Sequence, residues 1–181
     1  MKPKKILNAN EISTILNRLS FQLIEDHNLF NDTVLIAIQP RGGLLAKRIS
    51  NLINKHEKNN NLKLGFLDIT FFRDDFRRSE KVLKASVTEI DFIIENKTVV
   101  LVDDVLFTGR SIRAALNAIQ SFGRPKEIQL LTLIDRRFSR ELPIQPDYCG
   151  IQVDSRLNQR VKVCWEENDG EDSVYLFKNK E

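Results

Sequence analysis

The feature that most constrains this chain is the stretch at residues 99–111, which reads VVLVDDVLFTGRS. Its valine-rich apolar start is typical of a parallel strand that is buried on both faces. Asp103 and Asp104 end the apolar run. Open α/β sheets bind their ligands beyond the carboxyl ends of such strands. We therefore predict a central strand that opens, at this acidic pair, into a functional loop.

The residues after the acidic pair predict an anion-binding loop. Gly109 lets the backbone approach a phosphate closely, and the hydroxyls of Thr108 and Ser111 can donate hydrogen bonds to it. An amphipathic helical pattern follows at residues 112–119, and free amides at a helix start favour negative charge. The carboxylates beside this loop suit a ribose diol, a magnesium ion or a sugar carbon that gains positive charge. A phosphorylated sugar fits both halves of the motif, whereas an ordinary strand, turn and helix is the alternative interpretation.

Two more segments indicate phosphate chemistry. Residues 39–43, QPRGG, follow an apolar strand at residues 34–38, and Arg41 can bind a phosphate through two parallel hydrogen bonds. We expect this loop to lie beside the acidic pair, although a tight turn would have the same composition. Arg73 lies in a charged segment that runs from Phe72 to about residue 96. We expect this segment to be poorly ordered without ligand and to close over pyrophosphate, excluding water.

Together these motifs resemble those of the bifunctional pyrimidine operon regulators and uracil phosphoribosyltransferases. The matching segments are DIT with Arg73 at residues 68–73, VDDVLFTGR at 102–110, and DR with RELPI at 135–144. The likeness extends over nearly the whole chain. It implies an α/β fold with a phosphoribosyltransferase-type twisted parallel sheet flanked by helices, a small hood, and homodimers or higher homo-oligomers. It also implies that the chain, with Mg²⁺ as cofactor, forms UMP and pyrophosphate from uracil and the donor 5-phosphoribosyl-1-pyrophosphate.

The resemblance assigns a role to each matching residue. Asp103 and Asp104 would hold the ribose and Mg²⁺ and act in catalysis, and Arg73 would close over the pyrophosphate. Arg41 and Gly42 would bind the pyrophosphate. The 5-phosphate loop, with its aromatic residue beside the ribose, would consist of Val105, Leu106, Phe107, Thr108, Gly109, Arg110 and Ser111. Uracil would lie at the strand end formed by Asp135 and Arg136.

Members of such a family can also bind a messenger RNA leader through a basic face of the dimer. Arg18 and Arg140 lie at positions that resemble this face. The chain departs from the pattern where such regulators commonly carry His, Arg and Lys, and these positions are Phe21, Gln145 and Ile151. Fewer cations lower affinity for a polyanion. One alternative function is an RNA-binding attenuator with little catalytic role, on the overall resemblance and these arginines. The other is a phosphoribosyltransferase for a purine base, because the phosphosugar motif does not encode the acceptor.

Composition agrees with a small enzyme. The 181 residues fit one domain, 1–181, and the net charge of +3 gives weak support for nucleic-acid binding. Local basic clusters at residues 73–84 and 136–140 could form a pyrophosphate or RNA surface. The start of the chain does not read as a signal peptide, and no apolar segment has membrane-spanning length, so we expect a cytoplasmic protein with no membrane partner. Two cysteines and two histidines predict neither a disulfide framework nor a zinc site.

Hydrophobic periodicity predicts alternating helices and strands. Helices are predicted at residues 12–24 and 44–55 and from 112 to about 122, and strands at 34–38, 64–71, 99–102 and 128–134. Residues 161–165 and 174–177 predict an antiparallel hairpin that closes one edge of the sheet.

Overall fold

The computed structural model describes residues 3–74, 85–155 and 159–178. The strands are β1 (Lys4–Leu7), β2 (Thr33–Ile38), β3 (Lys63–Leu67), β4 (Thr98–Leu106), β5 (Glu127–Arg137), β6 (Tyr148–Asp154), β7 (Gln159–Cys164) and β8 (Ser173–Lys178). The helices are α1 (Ala9–His27), α2 (Gly42–His56), α3 (Arg110–Ile119) and α4 (Glu166–Asp169), with short 3-10 turns at Thr70–Phe72 and Gln120–Phe122. None of the helices in these ranges has the length and apolar character needed to cross a bilayer.

Five parallel strands form the central sheet, in the order β3-β2-β4-β5-β6. The predicted α/β architecture, a parallel sheet flanked by helices, is confirmed. Because β2 pairs directly with β4, the QPRGG loop and the acidic strand are neighbours, as predicted.

Alternation along the buried strands separates two hydrophobic cores. In β2, Leu35 and Ala37 face the core that contains α1 and α2, whereas Val34, Ile36 and Ile38 face the core that contains α3. Successive side chains of a strand point to opposite faces, so a continuous apolar run serves both cores at once. The same requirement explains why most of β4 before the acidic pair is apolar and buried.

The hood is the second sheet, three antiparallel strands in the order β1-β8-β7. The predicted hairpin is confirmed, since β7 and β8 pair with Val161 opposite Leu176. Its predicted place is wrong, however, because the hairpin pairs with β1 and not with the parallel sheet. The edge of the parallel sheet is formed instead by β6, which pairs with β5 and was not predicted.

Two strands escaped prediction because their sequences lack a strong strand pattern. β1 is only four residues long and follows a basic terminus. β6 includes Gly150, a residue that usually weakens a strand. Here the glycine is required, since a Cβ at position 150 would lie 2.3 Å from the carbonyl oxygen of Leu133 in β5.

The strand predicted at residues 64–71 ends earlier, at Leu67. Asp68 turns the chain, because its carboxylate accepts hydrogen bonds from the backbone N–H and the hydroxyl of Thr70. The same carboxylate accepts a hydrogen bond from the Ser86 N–H, so that Asp68 and Ser86 lie next to each other. Residues 75–84 lie outside the described residues, and with them four members of the predicted basic cluster and the middle of the segment expected to be poorly ordered. These four are Arg77, Arg78, Lys81 and Lys84.

Candidate active site

The acidic pair lies within β4 and not at its end. Asp103 pairs with Thr132 of β5, and the pairing continues as far as Leu106. Both carboxylates are buried, with relative exposures of 8% for Asp103 and 4% for Asp104. The backbone N–H of Asp104 donates a hydrogen bond of 3.0 Å to Asp103 Oδ1. The sheet therefore fixes this acidic pair, although the sequence predicted that the strand would end there.

Burial also sets the protonation of these carboxyl groups. Loss of solvation raises the pKa of Asp104 to about 6, and the Arg41 guanidinium, 3.8 Å away, opposes this rise. Loss of solvation and the neighbouring Asp104 raise the pKa of Asp103 well above its ordinary value. Two buried acids this close favour a bound cation or strong hydrogen-bond donors, because either would stabilise their charged forms.

The loop after β4 consists of Phe107, Thr108 and Gly109, and α3 begins at the next residue. Gly109 has φ +92°, a left-handed conformation that side chains disfavour. A Cβ there would also lie 3.2 Å from the side chain of Ile144. Glycine is thus required at this position by backbone angle and by packing.

This loop borders a cavity of about 280 Å³. The cavity is lined by Arg73, Asp103, Glu141 and every residue from Val105 to Ile112. The predicted 5-phosphate residues therefore surround one space, at the start of α3, where helix amides favour an anion.

A second cavity of about 320 Å³ adjoins the first and shares Arg73, Asp103, Val105, Phe107 and Ser111 with it. We call the two together the cleft. The remaining residues of the second cavity are Ile38, Gln39, Pro40, Arg41, Ile69, Asp104, Arg136, Arg160 and Val161. The cleft thus unites all three predicted catalytic residues with Arg41 and Arg136.

Helix α2 begins beside the acidic strand. It starts at Gly42, so the connecting loop is shorter than predicted. Gly42 is buried, and a Cβ on it would lie 2.2 Å from the carbonyl oxygen of Val102. The glycine therefore serves the close packing of α2 on β4. Arg41 precedes it with an exposed side chain that lines the cleft.

Arg73 borders both cavities of the cleft. Its neighbour Asp74 accepts hydrogen bonds from the side chains of Arg110 and Arg113, both in α3. The guanidinium of Arg110, a predicted phosphate contact, thus forms an ion pair with Asp74. This pair joins the segment that follows β3 to the first turn of α3.

Asp135 and Arg136 are separated by the alternation of β5. Arg136 lines the cleft and lies over the ring of Phe107. Asp135 lines a different cavity of about 590 Å³, which we call the outer cavity, and accepts a hydrogen bond from Arg140. The two residues expected to flank uracil therefore do not share one space.

The two arginines expected on an RNA face contact the protein itself. One guanidinium nitrogen of Arg18 donates to the carbonyl oxygens of Cys149 and Gly150, at 3.0 and 2.6 Å. Arg140 donates to the carbonyl oxygen of Phe107 and to Asp135.

Several cleft residues were missed in the sequence, among them Ile69, Arg160 and Val161. The last two come from β7, in the hood. No local pattern marks a hood residue as a cleft residue, because the contact depends on how the second sheet is placed above the first.

Known proteins resemble this chain in sequence over most of its length. The profile of the phosphoribosyl transferase domain family matches residues 3–167. The chain is 46% identical over 175 residues to "Bifunctional protein PyrR" of Caldicellulosiruptor bescii, with coverage of 97% of this chain and 95% of that protein. It is 45% identical to the protein of the same name from Gloeothece citriformis, with coverage of 96% and 97%.

Solved structures share the fold at low sequence identity. A hypoxanthine phosphoribosyltransferase from Staphylococcus aureus superposes with a TM-score of 0.69 at 20% identity, covering 98% of this chain and 92% of that one. The hypoxanthine phosphoribosyltransferase of Trypanosoma cruzi gives 0.71 at 16% identity, with coverage of 98% and 97%.

Proposed function

The chain belongs to the phosphoribosyl transferase domain family, within the group of bifunctional PyrR proteins, and we propose that it is a uracil phosphoribosyltransferase. It would form UMP and pyrophosphate from uracil and 5-phosphoribosyl-1-pyrophosphate. The observation that supports this most is the cleft itself, in which two buried carboxylates lie beside a glycine loop at a helix start. A phosphorylated sugar with a second anionic group fits that arrangement.

The donor would occupy both cavities of the cleft. Its 5-phosphate would lie at the loop of Thr108 and Gly109, where the start of α3 favours negative charge. Its pyrophosphate would lie between Arg41 and Arg73, two cations that line the second cavity together with the acidic pair. The ribose would then lie against Asp103 and Asp104, its hydroxyls donating to carboxylate oxygens.

The donor set fits Mg²⁺. Within the described ranges, no three His, Cys, Asp or Glu side chains form a cage that could hold a metal by themselves. Mg²⁺ is commonly held by one or two carboxylates together with substrate oxygens, and Asp103 and Asp104 supply such a pair. Burial raises the pKa of both carboxyl groups, and a divalent cation beside them would favour their charged forms. When bound, Mg²⁺ would neutralise charge on the leaving pyrophosphate.

The chain's own residues would position and stabilise the reacting atoms. The bond from ribose C1 to the pyrophosphate oxygen breaks while the bond from C1 to uracil nitrogen forms, and positive charge develops on the sugar. The proton of that uracil nitrogen would pass to the departing pyrophosphate or to water. Asp103 and Asp104 lie where they can stabilise that charge, and Arg41 and Arg73 can stabilise the leaving group. No histidine is among the described cleft residues, so orientation and electrostatics would supply most of the rate.

Uracil would bind between the end of β5 and the hood. Arg136 and Phe107 form one wall of this part of the cleft, and Arg160 and Val161 of β7 lie above it. Asp135 would contribute through its backbone, because its side chain lines the outer cavity.

The proposal is tested by conversion of radiolabelled uracil in the presence of donor and Mg²⁺. A panel of uracil, cytosine, hypoxanthine and guanine under one condition tests base choice, and we expect turnover with uracil. Turnover with hypoxanthine or guanine but not with uracil would favour the purine alternative. If none of the four bases is converted, the enzymatic proposal is contradicted.

We also propose a regulatory role, in which the protein binds the messenger RNA leader of a pyrimidine operon. The name of the relatives, "Bifunctional protein PyrR", favours a second role, and Arg18 and Arg140 are its candidate contacts. Both are engaged with the protein's own groups, which leaves them less available for phosphate. A gel shift with a leader RNA at 50 and 200 mM salt, with and without UMP, tests this role. Absence of a shift at the lower salt would contradict it.

Oligomeric state and location follow from the same proposal. We propose a homodimer or higher homo-oligomer in the cytoplasm, where nucleotide donors are made and used. Light scattering coupled to size exclusion tests the first point, since a mass near the 21.0 kDa of one chain would exclude a stable dimer.

A further inference from the structure

The phosphate loop is held from its outer side by the turn that follows β5. The guanidinium of Arg140 donates a hydrogen bond of 2.5 Å to the carbonyl oxygen of Phe107. The next carbonyl, that of Thr108, accepts the backbone N–H groups of Glu141 and Leu142 at 3.0 and 3.3 Å. Two consecutive loop carbonyls are therefore bound by three consecutive residues of one turn.

Peptide geometry gives these contacts a consequence for the cleft. In a trans peptide the C=O and N–H of one unit point in opposite directions. A carbonyl that accepts a hydrogen bond from this turn thus directs the N–H of the same unit away from the turn. The Phe107 carbonyl shares its unit with the Thr108 N–H, and the Thr108 carbonyl with the Gly109 N–H. Both amides belong to residues that line the cleft, so both can face an anion there.

We propose that Arg140 is a positioning residue of the donor site, which sets the orientation of the loop amides that bind the 5-phosphate. The inference rests on the proposed function, because it concerns the same donor. Arg140 does not line the cleft and acts through the Phe107 carbonyl.

The second contact of Arg140 holds it in place. Its other terminal nitrogen donates to the carboxylate of Asp135, a residue that is only 4% exposed. The rigid fork of a guanidinium can bind two acceptors on different elements at once, which the single ammonium of lysine does less well. Asp135 is thereby paired, and its charge directs the guanidinium toward the loop.

This role differs from the RNA contact that the family likeness implies for the same residue. If Arg140 only contacts RNA, its substitution should weaken RNA binding and leave donor affinity unchanged. If Arg140 positions the loop, its substitution should weaken donor binding in the absence of any RNA or base.

The test measures donor binding to Arg140→Gln, with Arg137→Gln as the matched control. Arg137 is the last residue of β5, just before the turn, and its side chain pairs with exposed Asp154 and lines the outer cavity. Calorimetry with 5-phosphoribosyl-1-pyrophosphate and Mg²⁺, without base, gives the dissociation constant. We expect at least a tenfold weaker constant for Arg140→Gln, an intermediate value for Arg140→Lys and the wild-type value for the control.

Steady-state kinetics supplies a readout that general destabilisation would not reproduce. For Arg140→Gln the KM for the donor should rise about tenfold, with kcat and the KM for uracil changed less than threefold. Donor affinity within twofold of wild type would overturn the proposal, as would an equal loss in the control. If Arg140→Gln does not fold, donor affinity is measured for Asp135→Asn and Arg140→Lys. Affinity within twofold of wild type in both variants would overturn the proposal.

Failure of this inference is distinguishable from failure of the proposed function. A wild-type protein that binds the donor but converts no uracil would contradict the proposed function and leave the positioning role measurable. A wild-type protein that does not bind the donor would overturn both.

Discussion

The guanidinium carbon of Arg136 lies 3.8 Å from the centre of the Phe107 ring. The same guanidinium donates to the hydroxyl of Ser155 and to the carbonyl oxygen of Gln159, the first residue of β7. Burial lowers the pKa of Arg136, yet an arginine remains charged at any physiological pH. One cation therefore joins the end of the parallel sheet, the phosphate loop and the hood.

The first prediction concerns this stack. Phe107→Leu keeps an apolar side chain but removes the aromatic face under a desolvated cation, so we expect a loss of about 2 kcal/mol in the free energy of unfolding. Urea denaturation measures it. Phe138→Leu is the control, since that ring is 79% exposed and lies farther from its arginine, Arg137, at 5.4 Å. An equal loss in both variants would show that the buried stack contributes nothing of its own.

The second prediction concerns the acidic pair. Asp104→Asn keeps the shape of the side chain and removes a charge that should stabilise the developing positive sugar. We expect kcat for uracil conversion to fall at least about a hundredfold, within the range for loss of one preorganised electrostatic group. Asp154→Asn, an exposed residue on the outer side, should retain wild-type turnover. A fully active Asp104→Asn variant would show that the charge of Asp104 does not stabilise the reacting sugar.

The third prediction compares adjacent glycines at the start of α2. A Cβ at Gly42 would lie 2.2 Å from the backbone oxygen of Val102, which cannot yield easily because it belongs to the central strand. Gly42→Ala should therefore destabilise the protein by about 3 kcal/mol, as expected for overpacking in a core. At Gly43 the nearest atoms are ring carbons of Phe66 at 3.8 Å, so Gly43→Ala should change stability by less than about 0.5 kcal/mol. Equal midpoints in urea would contradict this account of the helix start.

The fourth prediction concerns pH and the end of the sheet opposite the cleft. His27 contacts the hydroxyls of Thr33 and Tyr148 at 3.1 and 3.0 Å. Burial lowers the pKa of His27, and the charges of Asp26 and Glu127 oppose the shift. A lowered pKa means that the unfolded chain binds the proton more readily. The contribution of His27 to stability is therefore complete above its unfolded pKa of 6.5 and is lost as the pH falls below that value.

Thermal unfolding at pH 7.5 and 5.5 measures this effect. His27→Gln should show a smaller drop in Tm between the two pH values than the wild type, because the titrating group is gone. His56→Gln is the matched control, since His56 is exposed and stacks on Phe21. If the drop is the same in all three proteins, protonation of His27 does not limit stability in acid.

Local sequence was sufficient for much of the fold and for the centre of the cleft. The apolar run before Asp103 requires burial on both faces, and Gly109 requires a backbone angle that few other residues adopt. Burial and backbone angle depend on residues that are close in sequence. They were therefore enough to predict the central strand, the loop after it and the neighbouring loop at Arg41. The family was inferred from the resemblance of the same residues.

Tertiary structure decided what depends on partners distant in sequence. β1 and β6 are strands because β8 and β5 provide their hydrogen bonds, and neither sequence marks a strand by its own periodicity. The hood brings Arg160 over a cleft that is formed mainly by residues much earlier in the chain. The pleat of β5 and the turn after it place Arg136 in the cleft and join Arg140 to the phosphate loop from outside. Sequence by itself determined which chemistry the chain contains, because composition and backbone preference are local, whereas side-chain direction and contact arise only when the strands pair.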